Sequence, residues 1–189
     1  MPFFVSSQNN EPVLNVLPKT GQTASYFTGD DGDLEKGWNN GTRFNTLTLN
    51  GKTIIQDQAT GLMWPGVWTQ LTAVTDNVRY KQLATCRTTG IGDVNTAAYG
   101  GYNDWRIPNI HELFSILDFS QTSYTNRRLV SVFTIPFANP CLREGLWSST
   151  SDANDPTAVY VLHGNYSPNP LIATAAVSTY WASLLPCRG

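Results

Sequence analysis

The stretch Asp104-Trp105-Arg106-Ile107-Pro108-Asn109-Ile110-His111-Glu112-Leu113-Phe114-Ser115-Ile116-Leu117-Asp118 carries the end of one element and the start of another. Pro108 lacks the N–H that a continuing strand needs, so the extended run stops there. Asn109 is a natural N-cap, and Glu112 stands three residues on, the arrangement of a capping box. Ile110, Leu113, Phe114 and Leu117 recur at helical spacing, which predicts a helix over 109–118 with that stripe facing a core. His111 falls on the opposite side and reads as exposed. A capped amphipathic helix entered from a Trp-bearing strand sets the class: α and β segments must pack on each other.

Working outward, Arg43–Leu49 alternates, Asn50-Gly51 supplies a hairpin turn, and Lys52–Asp57 returns. Thr60-Gly61-Leu62-Met63-Trp64 ends in an aromatic suited to the core. Residues 76–87 have helical character, with Val78, Leu83 and Cys86 on one side. Leu146–Thr150 and Ala158–Leu162 are short strands separated by an Asp/Asn/Pro turn. Residues 163–189 hold short runs of Gly, Asn, Pro, Ala, Thr, Ser and Tyr, and read as loops leading to a strand near 180–187. The expected fold is α+β, with two helices and small antiparallel sheets. Residues 1–20 read as an N-terminal arm that packs or mediates contacts in a homo-oligomer, and 21–189 as one ligand-binding domain.

Composition excludes several classes. Only 14% of residues are charged and 12% are aromatic, the reverse of the disordered signature. Twelve Lys+Arg against fourteen Asp+Glu leave no basic footprint for nucleic acid. No apolar run approaches the ~18–20 residues of a membrane span, so membrane insertion is not expected. Met1–Ser6 lacks the basic and apolar regions of a secretory leader. Cys86, Cys141 and Cys187 are too far apart for a paired-cysteine metal knuckle and read as buried or partly paired.

Chemistry-bearing residues are few. His111 and His163 are the two histidines, and the signatures of P-loops, dinucleotide folds, zinc peptidases and serine-hydrolase elbows are missing. A hydrolase using His163 with Ser148 or Ser149 is the enzymatic alternative to a binding protein, and a structural particle or surface component is the other. Asp104, Glu112, Asp118 and Glu144 invite comparison with paired glycosidase acids, although caps and Arg pairs explain them more simply. Asp30, Asp31 and Asp33 lie in a turn-rich acidic loop that suggests calcium, yet position twelve counted from Asp31 is Thr42, not the Glu of an EF-hand.

Five motifs follow in order: Leu17-Pro18-Lys19-Thr20-Gly21-Gln22, Gly29–Gly37, Thr60–Trp64, Asp104–Asn109 with Glu112-Leu113, and Leu146–Thr150. Together they resemble the Lcl C-terminal domain family of bacterial adhesins, surface proteins and viral proteins. That resemblance implies a C-type lectin-like fold, an extracellular, cell-surface or virion location, a protein or glycan partner on a cell surface, sulfated glycans included, and no enzymatic activity. Glu11-Pro12-Val13 and Trp38-Asn39-Asn40 depart from the Glu-Pro-Asn and Trp-Asn-Asp of calcium-dependent lectins. Arg188 is the only cation after Arg143, an awkward composition for heparin-like ligands.

From Gly145 to Gly189 there is no Lys, Glu, Gln or Met, although all four recur before it. Randomising the adenines of AAC codons yields a set lacking those residues and Trp, and 159–185 fits that set apart from Trp181. Variable proteins of diversity-generating retroelements are similar, with a lectin-like scaffold and a diversified C-terminal segment; an ordinary member with a polar terminal loop is the alternative. Either way, the ligand surface is expected on Tyr160, His163, Tyr166 and Tyr180. Asn165, Asn169, Thr174 and Ser178 would add adaptable polar contacts, and Leu171, Ile172, Leu184 and Leu185 an apolar patch.

Overall fold

In the computed structural model, which describes residues 17–38, 41–120, 129–130, 132–133, 145–163, 172–176 and 178–189, the acidic loop closes into one helical turn, α1 (Asp31–Leu34). The alternating run then forms β1 (Phe44–Leu49) and β2 (Lys52–Asp57), paired antiparallel with Leu49 opposite Lys52. Asn50 and Gly51 both take positive φ, 48° and 70°, giving the turn whose twist matches a hairpin. β3 (Met63–Pro65) returns along β2 and sets Trp64 opposite Ile55. The turn between them is organised by Asp57. Its carboxylate accepts from the Ala59 N–H (3.0 Å), the Thr60 hydroxyl (2.8 Å) and the Arg43 fork (2.8 and 2.6 Å). Arg43 also donates to the Ser115 carbonyl at 2.7 Å, which ties the hairpin to a segment far along the chain.

The helical layer follows: α2 (Trp68–Thr72), a 3₁₀ turn at Asp76–Val78, then α3 (Leu83–Thr85), a π turn at Cys86–Gly90 and α4 (Ile91–Thr96). Val78, Leu83 and Cys86 are buried as their spacing predicts. The boundaries differ from the expected 76–87. Thr75 caps a single 3₁₀ turn and Tyr80 takes φ +36°, so the longer helical run starts only at Leu83 and continues to Thr96. α5 (Ile110–Ser115) has the full capping box: Asn109 Oδ1 accepts from the Glu112 N–H (2.9 Å) and Glu112 Oε2 from the Asn109 N–H (2.7 Å). It ends before the predicted Asp118 because Ile116 leaves helical geometry, yet Leu117 still faces the core.

The second sheet has the order β4 (Leu146–Ser151), β5 (Ala158–Leu162), β6 (Ile172–Ala176), all antiparallel. β6 corrects the expectation of loops between 163 and 179. Its residues pair one-to-one with β5, from Leu162↔Ile172 to Ala158↔Ala176. The expected strand at 180–187 is replaced by single bridges: Lys81↔Ala182, Leu146↔Ser183, Arg106↔Cys187 and Met63↔Arg188. Pro186 has no N–H with which to continue a ladder.

Neighbouring residues of β2, β5 and the C-terminal segment point to opposite sides, as extended chain requires. Ile54, Val161 and Leu184 join a cluster with Trp68, Trp105 and Trp147; Ile55, Leu162 and Leu185 join another with Trp64, Leu113 and Ile116. Leu184 and Leu185 are 0% exposed, so they are core and not the ligand patch expected of them. Two adjacent apolar residues suit an exposed patch, but a segment buried on both faces has that same signature. The class is α+β. No helix among the described residues is long and apolar enough to cross a membrane.

Candidate ligand-binding face

After β6 the chain turns tightly, with the Tyr180 N–H donating to the Ala176 carbonyl at 3.1 Å. It then runs antiparallel to Tyr80–Gln82. Lys81 and Ala182 exchange both backbone bonds (3.0 and 3.2 Å), the Tyr80 N–H donates to the Ser183 hydroxyl (3.2 Å), and Gln82 Nε2 donates to the Ser178 carbonyl (2.5 Å). Beneath, the Tyr180 ring stacks edge-on against Trp147 (5.8 Å), and His163 stacks on Tyr180 (5.9 Å). The Trp147 indole N–H donates to the Lys81 carbonyl at 2.8 Å, locking both segments to the core.

This frame presents two rings to solvent. Tyr80 and Trp181 are 44% and 43% exposed, with centroids 5.5 Å apart and planes tilted by 45°. Tyr80 reaches this position through its left-handed φ, which for a residue with a bulky side chain costs on the order of 1–3 kcal/mol. Exposed aromatic pairs on a rigid base bind by covering large apolar faces with little rotamer freedom left to lose.

The expected surface residues divide. Ser178 is exposed and Tyr180 half-buried beside the pair. Tyr160 is half-buried against the second core cluster. His163 is buried, not a surface contact, because Gly145 and Tyr180 close over it; burial also lowers its pKa. Ile172 and Thr174 stand on β6. Asn165, Tyr166, Asn169 and Leu171 lie outside the described residues. Tyr80 was missed because its contact with Trp181 is long-range, and Trp181 because it stood outside the randomised set.

The remaining chemistry is mostly committed to structure. Ser148 Oγ donates to the Tyr160 carbonyl at 2.7 Å, so its proton faces backbone. Asp104 pairs with Arg188 (2.7 Å), Glu112 with Arg106 (2.7 Å), and Asp118 accepts the Ser120 N–H (2.9 Å); Glu144 lies outside the described residues. The acidic loop does not form the calcium cage its composition suggested. Asp30 caps α1 and accepts from the Tyr26 N–H (2.7 Å), which lowers its pKa; Asp31 is bonded to the Thr20 hydroxyl and Asp33 to the Gly29 N–H (2.8 Å). No group of three or more His, Cys, Asp or Glu able to hold a metal occurs among the described residues. Cys86 and Cys187 are free thiols, each pushed up to about 12 by burial, while Cys141 lies outside the described residues.

The profile of the Lcl C-terminal domain family matches residues 53–181. That span begins in β2 and ends at Trp181, so the motifs at 17–22 and 29–37 fall outside it. No curated protein and no solved structure matches the chain.

Proposed function

The chain belongs to the Lcl C-terminal domain family, and on that basis we propose that it is a non-catalytic receptor-binding domain whose contact surface is the Tyr80–Trp181 pair. The family supports a ligand-binding or adhesin-like domain. The observation that carries the finer reading is the pair itself: two exposed rings held by a strained backbone, an antiparallel bridge and an edge-on aromatic contact between Tyr180 and the buried Trp147 beneath. The partner is a glycan or protein on a cell surface, bound without metal, with Ser178 and Tyr180 beside the rings. A C-type lectin-like frame and an extracellular, cell-surface or virion setting belong to the same proposal. Retroelement diversification does too, with one limit: Ala182, Leu184, Leu185 and Cys187 are core, so tolerated variation ends before them.

The test is binding of the purified chain to intact cells, untreated or stripped of surface glycans, with Trp181→Ala and Tyr80→Ala alongside. Aromatic contacts at the centre of an interface contribute about 2 kcal/mol or more, so either variant should weaken binding roughly thirtyfold. Loss of binding on glycan removal identifies a glycan partner, and its persistence a protein. Full binding by folded Trp181→Ala would remove this face from consideration.

A further inference from the structure

Two backbone irregularities meet at one cavity. The first is the π turn Cys86–Gly90, which inserts an extra residue between α3 and α4 and carries Arg87. Such turns are concentrated at functional sites. The second is the break in β4–β5 register between Trp147 and Ser151. There the Ser149 N–H leaves the ladder and donates to the Pro108 carbonyl at 2.8 Å. A bulge of this kind re-aims the side chains of its strand. Arg87, Ser149 and Ser151 line a cavity of about 540 Å³, together with an apolar wall of Trp105, Ile107 and Val159. That volume falls within the roughly 300–1,000 Å³ of small-molecule sites.

The charge on this wall is uneven. Among the described residues, no carboxylate lines the cavity. Arg106, also on the wall, is neutralised by Glu112 through two bonds of 2.8 and 2.7 Å. Arg87 is exposed and makes no ion pair with any described residue. The exposed hydroxyls of Ser149 and Ser151 likewise have no hydrogen-bond partner among the described residues. One uncompensated guanidinium, two open hydroxyls and an apolar wall therefore face the same space.

We propose that this cavity binds an amphipathic carboxylate, with the acid on the Arg87 fork, the two serine hydroxyls hydrogen-bonded to it, and the ligand's apolar body against Trp105 and Ile107. A single planar guanidinium matches a carboxylate's two oxygens, and one acid group is the charge that the one unneutralised guanidinium among the described lining residues balances. The site is independent of the Tyr80–Trp181 face. Its ligand is a free aromatic or aliphatic acid, or the carboxylated terminal sugar of a glycan; both offer a carboxylate beside an apolar surface.

The experiment is calorimetric titration of the whole chain with 4-phenylbutyrate and with N-acetylneuraminic acid, each against its methyl ester. At least one acid should bind saturably, and its ester about tenfold more weakly or worse, because charge-assisted bonds are lost. Arg87→Gln, a surface change, should weaken that acid by a similar factor, and Ser149→Trp should block it by filling the cavity. Binding of only phenylbutyrate marks a free acid as the source, and of only the sugar a glycan terminus. Saturation by neither acid, equal binding of acid and ester, unchanged affinity in Arg87→Gln, or equally tight binding of inorganic sulfate would each overturn the proposal.

Discussion

Replacing Asp57 by Asn tests the node that joins the first hairpin to the end of α5. The native carboxylate is 0% exposed and accepts four hydrogen bonds, two from the Arg43 fork and one each from Ala59 and Thr60. Asn keeps the shape and one acceptor oxygen, but turns an NH₂ toward a guanidinium that is also a donor. Removing one partner of a buried pair costs about 3–5 kcal/mol, since the other charge is left uncompensated. The Arg43 side chain retains 12% exposure, so water screens it slightly and the lower end applies, about 3 kcal/mol. For a domain of this size that corresponds to a fall in Tm of roughly 6–12 °C. Urea unfolding followed by tryptophan fluorescence, with a parallel thermal melt, measures it. Arg43→Met combined with Asp57→Asn removes both charges and should recover part of the loss. A single-variant loss below about 1 kcal/mol, the scale of an exposed pair, would refute the buried node.

Three further outcomes follow from the packing and the titrating groups. Gly145→Ala should lose at least about 1–3 kcal/mol from overpacking, because its Cβ would meet Val161 at 2.3 Å at a φ of +86°. Gly61→Ala, at φ +75° with nothing within 4 Å, should lose less, and equal losses in urea titrations would count against the crowding. Burial by itself would raise the Glu112 carboxyl, but the Arg106 fork and the Asn109 N–H outweigh it and hold the pKa below the usual range. Its contribution is then complete above the unfolded value near ~4.3 and is lost as pH falls through the folded one, so Glu112→Gln should flatten the stability slope between about pH 5 and 3. An unchanged slope would show the pair to be absent. Finally, iodoacetamide at about pH 8 should leave Cys86 and Cys187 unmodified until urea is added, as mass spectrometry can read peptide by peptide. Rapid native labelling of either would contradict their burial.

Local chemistry was legible and long-range pairing was not. Asn109 with Glu112, and Asn50-Gly51, each specify an element from within a few residues, and both appear where the sequence puts them. Ile172–Ala176 gave no comparable signal, since a run of Ala and Thr lacks the alternation of a half-buried strand; β5 supplies the reason for its being one. Leu184-Leu185 illustrates the same limit at the site. Only the folded chain shows that one leucine enters each core cluster, leaving Tyr80 and Trp181 to form the exposed face. Tyr80 and Trp181 meet through a bridge between residues about a hundred positions apart, a pairing that neither flanking sequence encodes.

The bridges of residues 182–188 also bear on how the domain is made. Translation delivers residues in order, so both sheets and the helical layer leave the ribosome before the segment that joins them. Lys81, Arg106, Met63 and Leu146 wait for partners synthesised late, the contact from Arg188 to Met63 closing a separation of 125 residues. Closing so long a loop is entropically unfavourable until its contacts are made, which slows folding and defers it until residues 182–188 have emerged. Until then the cluster of Ile54 and Val161 lacks Leu184 and that of Ile55 and Leu162 lacks Leu185, and the nascent chain exposes apolar surface of the kind chaperones bind. A truncation that removes only 182–189 should therefore give an aggregating chain, although it leaves every strand and helix of the described residues in the sequence.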